Sequence, residues 1–163
     1  RKMLFAISFF HAVIQERRKY GALGWNIRYA FSNTDRDCCI SQIHDFIDAY
    51  DEMPYRVINV LCGDVNYGGR VTDDKDRRTL MSVLSQYIRP EILEDDYKFS
   101  PSGTYFAPPD DPSRDHYLDY VASLPINPAP EVFGMHDNAE ITSAQEGMLQ
   151  MFSTILSLDS GGG

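Results

Sequence analysis

Residues 3–20 read MLFAISFFHAVIQERRKY, and their spacing predicts the strongest helix of the chain. Phe5, Phe9, Ala12 and Val13 form one stripe, with Leu4, Ile7, His11 and Ile14 beside it. Apolar side chains cover well over half the circumference, so a helix here is expected to pack on more than one side. Arg17, Arg18 and Lys19 complement the negative end of its dipole, and Gly21 provides the stop. Arg1-Lys2 ahead of an apolar run mimics a secretory signal, but no small-residue cleavage site follows and His11 interrupts the run. The loop Leu23-Gly24-Trp25-Asn26 holds the only tryptophan, expected to seat its indole against this helix. Trp25 and Phe9 are both expected to be buried.

Beyond the helix the chain is acidic. Its 163 residues carry 24 acids and 15 bases, a formal charge of −9. Residues 1–28 hold six bases and one acid, so the excess of acid lies after them. This balance argues against nucleic acid, anionic lipid or other polyanionic partners. No apolar run is long enough to span a membrane. Cys38, Cys39 and Cys62 form no disulfide framework and fit a reducing compartment. The start at Arg1 and the close on Ser160-Gly161-Gly162-Gly163 read as cuts from something longer.

Local signals continue the helical pattern. Thr34 with Asp37 resembles a cap for a helix over 35–50, and Pro54 opens a short helix through Leu61 that Gly63 closes. Thr72 caps a helix starting on Asp73, Asp74 and Asp76, and Pro90 begins a short turn through Leu93. Residues 97–109 read as a small β-hairpin, with Ser100-Pro101-Ser102-Gly103 as its turn and Pro108-Pro109 as its end. A helix from Ser113 to Ser123 follows. Thr142 and Gln145 form a capping box for a last helix to about Leu158. The expected domain is mainly α, a bundle of about six helices with one hairpin insertion, covering 1–158 and followed by a flexible tail at 159–163.

The chemistry on offer is sparse. His11, His44, His116 and His136 never fall three or four apart, so helical zinc or di-iron pairs are missing, and His11 reads as a core histidine. The three cysteines include no CxxC, and buried structural thiols are the default. Gly63-Asp64-Val65-Asn66-Tyr67-Gly68-Gly69-Arg70 leads toward a helix N-terminus, as phosphate loops do. It lacks the Gly-Lys-Ser/Thr ending of a P-loop and runs into three acids that repel phosphate. Arg70 reads either as a finger toward a neighbour's nucleotide or as an anion-pairing residue that fixes the loop; Gly68 or Gly69 is expected at positive φ. The aromatics of Tyr97–Phe106 suit a partner contact or a local mini-core.

Several blocks resemble the C-terminal motor region of dynein heavy chains. They are Phe10–Arg18, Leu23-Gly24-Trp25-Asn26, Asn66–Asp74, Pro130–His136 and Asn138–Thr142, in that order over nearly the whole chain. Val71-Thr72-Asp73-Asp74 and Tyr105–Pro109 resemble the axonemal type. The tail departs, because Asp159-Ser160-Gly161 stands where the family usually continues with a basic step. The resemblance implies the lid, the small helical subdomain, of the sixth AAA+ module. It implies no catalytic, cofactor or metal residue here, with ATP and magnesium handled elsewhere in the parent motor. Implied partners are neighbouring AAA+ modules and the C-terminal region of the same heavy chain, microtubules being reached only through other parts. A monomeric isolated domain and a place in the cytoskeleton of the ciliary or flagellar axoneme are further expectations. Arg17, Arg18, Trp25 and Arg70 are the candidate interface or sensing residues.

Overall fold

A computed structural model describes residues 1–160. Six α-helices dominate: α1 (Lys2–Glu16), α2 (Asn33–Ala49), α3 (Tyr55–Val60), α4 (Asp74–Leu84), α5 (Arg114–Ser123) and α6 (Ala139–Ser160). Short 3₁₀ and π turns join them, and no strand occurs among the described residues.

The centre is α1, which packs against both α2 and α4. Met3, Ala6, Ile7, Phe10, Val13 and Ile14 are buried, a spacing that runs straight down one face. The core is therefore turned from the stripe expected. Phe10, not Phe9, is fully buried, while Phe9 is half-buried and Ala12 exposed. Phe10 sets its ring edge-on to Tyr67 at 5.2 Å. Phe5 and Phe9 instead serve a second, aromatic cluster. Phe9 meets Phe99 at 5.2 Å, Phe99 meets Tyr87 at 4.8 Å, and Phe5 lies 5.8 Å from Tyr120. Residues 97–106 thus supply a local mini-core.

That segment does not form the expected hairpin. One antiparallel bridge, Lys98 to Phe106, stands alone, with the Phe99 amide donating to the Tyr105 carbonyl at 2.7 Å. The ladder stops because the Phe106 amide donates to the Tyr120 hydroxyl at 2.8 Å, and prolines at 108 and 109 have no amide hydrogen to offer.

Helix starts differ by a few residues from those the sequence suggests. Ser32, not Thr34, caps α2, and the Asp35 carboxylate accepts from the Ser32 amide at 2.9 Å. At α4 the cap is Asp73, which accepts from the amides of Lys75 and Asp76 at 2.9 Å. Ala139, buried against the core, starts α6 three residues ahead of Thr142, which therefore lies inside the helix.

Gly63 does not end α3. The chain winds on through a wide π turn (Leu61–Tyr67) and a 3₁₀ turn (Gly68–Arg70). Gly68 has φ −67°, and neither it nor Gly69 is at positive φ. The glycine at 68 answers a different demand, since a Cβ there would lie 2.4 Å from the Gly63 carbonyl oxygen. Gly21 does take positive φ, at +52°, and breaks the turn that follows α1. Of the glycine tail, residues 161–163 lie outside the described residues.

Candidate functional site

Arg17 follows α1 directly, on the side that continues the buried stripe, and this carries its guanidinium into the protein. It is 5% exposed. Its Nε donates to the Gly24 carbonyl at 3.2 Å, and a terminal nitrogen donates to the Phe133 carbonyl. The guanidinium lies 5.2 Å from the Trp25 ring centroid, a cation–π arrangement. No carboxylate comes within ion-pair range of it among the described residues. Burial pulls its pKa down to about 10, and the more distant charge of Asp76 offsets only part of that. Trp25 is buried as expected, its indole N–H donating to the Ile14 carbonyl at 3.0 Å.

Asp76 is the organising group that the sequence pattern did not single out. Read as one of three acids opening a helix, it is in fact 4% exposed. Its carboxylate accepts from the amides of Asn26 and Ile27 at 2.9 and 3.1 Å and from the Tyr29 hydroxyl at 2.8 Å. It thereby pins the tryptophan loop to the first turn of α4. It lies four positions before Leu80, so helical register with that buried residue was the signal that could have found it.

A groove of about 720 Å³ opens beside Arg17. One wall is α4 and the turn after it, through Arg78, Ser82, Val83 and Gln86, and the other is the turn from Glu131 to Met135. Tyr87 and Phe99 also line it. Glu131 is already engaged by the Ser102 hydroxyl, by the Ser102 amide at 3.1 Å and by the Ser100 hydroxyl at 3.3 Å, and these bonds, the Ser102 hydroxyl's first, lower its pKa.

Of the candidate residues, Arg17 and Trp25 come together. Arg18 is exposed, with its Nε donating to the Gln15 carbonyl at 2.8 Å, and it borders a smaller cleft with Trp25, Arg28 and Glu146. Arg70 lies elsewhere and is held by Asp35, Nε to the two carboxylate oxygens at 3.0 and 2.8 Å. It ties the cap of α2 to the 3₁₀ turn at Gly68–Arg70. His11 is buried, its Nδ1 3.0 Å from the Tyr67 hydroxyl. Cys39 and Cys62 are buried thiols, but Cys38 is exposed. Among the described residues no three His, Cys, Asp or Glu side chains gather as a metal site, and no helix is long and apolar enough to cross a membrane.

The last feature is α6. Its first two turns rest on the 3₁₀ turn after α1 (Arg17–Leu23), and Arg28 in the following loop reaches Glu146 at 3.4 Å. From Met148 to Leu158 every side chain is exposed, including Met148, Leu149, Met151, Phe152, Ile155, Leu156 and Leu158. Ile141, Ala144, Met148, Met151, Ile155 and Leu158 recur at alternating three- and four-residue steps, the spacing of a coiled-coil seam.

The fold is thus a helical bundle that projects a long, uncovered apolar helix. The chain belongs to the family described as the dynein heavy chain AAA lid domain, whose model matches residues 1–139. It is 49% identical over 96% of its length to dynein axonemal heavy chain 3 of Homo sapiens. It is 46% identical over 99% to dynein axonemal heavy chain 12 of Rattus norvegicus, and 44% identical over 97% to dynein axonemal heavy chain 1 of Homo sapiens. The chain spans only 4–5% of the length of these relatives.

Proposed function

We propose that this lid is a non-catalytic structural subdomain of an axonemal dynein motor ring. Within the ring it is the lid of the sixth AAA+ module. It carries ATP-driven rearrangement between adjacent modules and the C-terminal region, in minus-end-directed motility of cilia and flagella. The observation that carries the reading is the uncovered apolar half of α6. About eleven residues of helix with seven large apolar side chains in water cost stability unless another surface covers them. The relatives' axonemal names support the axoneme as its location.

ATP and magnesium belong, in this reading, to other parts of the heavy chain. The Gly63–Thr72 segment supports that placement, since Gly69 and Arg70 stand where a phosphate loop would need Lys and a hydroxyl, and the acids Asp73, Asp74 and Asp76 follow. Sensing through Arg70 draws no support from a guanidinium already bonded to Asp35. A separate interaction platform at Tyr97–Phe106 fares no better, because Phe99 and Tyr105 point into the core.

The test is Phe152→Asp with Ile155→Asp in the full heavy chain. Microtubule gliding is expected to be lost while microtubule binding persists. Gliding at the parent velocity would defeat the reading.

A further inference from the structure

The groove beside Arg17 is electrostatically unlike the rest of the molecule. In a chain of net charge −9 it presents two arginines without a carboxylate partner. Arg17 is buried and bonded only to carbonyls and the Trp25 face. Arg78 makes no ion pair or side-chain hydrogen bond among the described residues, whereas its neighbour Arg77 donates to the Val71 carbonyl at 2.9 Å and faces Asp64 at 3.9 Å. Arg78 and Ser82 on α4 and Gln86 just past its end fall four apart, a row of polar side chains that make no side-chain hydrogen bond among the described residues. Across from them stand Val132, Phe133 and Met135. The one carboxylate in the lining, Glu131, is already bonded to Ser100 and Ser102.

A buried cation facing open space is costly unless an anion approaches it. A row of free donors opposite an apolar wall suits a peptide that offers both a carboxylate and a bulky apolar side chain. We propose that this groove docks an acidic segment of the parent heavy chain, from outside these 163 residues. Its carboxylate pairs with Arg78 in the field of Arg17, and its apolar side chain packs on Val83, Tyr87 and Phe133. The charge of the groove selects an acidic occupant. Its source follows from the relatives, of which more than nine-tenths lies outside the matched span. The proposal rests on the lid acting as an intrachain docking part and adds a second contact, in a groove that no residue of α6 lines.

The experiment places a photo-crosslinking amino acid at Gln86 in the full-length heavy chain and identifies the adduct by mass spectrometry. One Asp- or Glu-bearing peptide of the same heavy chain, outside this span, is expected. Arg78→Glu should cut its yield about tenfold and Arg78→Lys should largely keep it. Adducts confined to this span, to a separate subunit or to a peptide without Asp or Glu overturn the proposal. So does a yield indifferent to Arg78→Glu, or displacement by excess inorganic phosphate, which would mark a small-anion site. A parallel probe at Phe152 separates the two readings. An adduct there with none at Gln86 defeats the groove alone, while silence at both defeats intrachain docking altogether.

Discussion

At the level of single residues, two adjacent glycines do different work. Alanine at 68 would push its Cβ against the Gly63 carbonyl, so Gly68→Ala is expected to cost about 1–3 kcal/mol. A Cβ at Gly69 meets nothing within 4 Å, and Gly69→Ala should stay within about 0.5 kcal/mol of the parent. Urea unfolding of both variants checks the contrast, and equal losses would show the π turn to be misread. His11 carries a pH dependence. Burial lowers its pKa below 6.5, repulsion from Arg36 adds to this, and Asp35, Asp37 and the Asn33 side chain work against it. As pH falls through 6.5 the unfolded chain takes up a proton that the folded chain refuses. Stability therefore drops on acidification, by up to about 1.4 kcal/mol per pH unit from this one group. His11→Gln should flatten that part of the profile between pH 7.5 and 5.5, and an identical decline in both proteins would exclude His11 as its source.

Among the elements, α1 offers the sharpest check on packing. Phe10→Ala, at a fully buried ring, is expected to cost about 3–5 kcal/mol, and Phe9→Ala, at a half-buried one, clearly less. A larger loss at Phe9 would restore the stripe expected from sequence. That the helices were legible while this rotation was not has a simple cause. An apolar surface covering more than half of a helix announces burial but leaves its deepest line open. Caps misled by a residue or two, since Ser32 and Thr34, or Thr72 and Asp73, satisfy the same local chemistry. The hairpin failed for a reason outside its own sequence: the amide of Phe106 found the hydroxyl of Tyr120, fourteen residues on. A π turn leaves no periodic trace at all, so Gly63 looked like a stop.

For the whole molecule, the site was half visible. Arg17 and Trp25 stood out as unusual residues in a short stretch, but the carbonyl that holds Arg17 belongs to Phe133, 116 positions away. Asp76 was hidden among neighbours of its own charge. Asp76→Ala would orphan two amides and a buried hydroxyl, at about 3 kcal/mol or more, and would free the tryptophan loop. Thermal unfolding with Trp25 fluorescence as the probe reads both effects, and an unchanged midpoint would remove Asp76 from its central place. The charge distribution has its own expectation. Microtubules are acidic, so this chain should stay in the supernatant when they are sedimented at physiological salt, and co-sedimentation would contradict the role proposed for it.

The seating of α6 has a mechanical corollary. Among the described residues the last side chain of α6 bonded to another element is Glu146, and Ser160 lies fourteen positions further along. At 1.5 Å per residue Ser160 stands about 21 Å past that tie to the bundle. Tilting the turn beneath its root by about 5° swings the tip by about 2 Å, so the geometry acts as a gear. An angular adjustment too small to disturb the core becomes, at the far end, a displacement large enough to slide one packed surface across another.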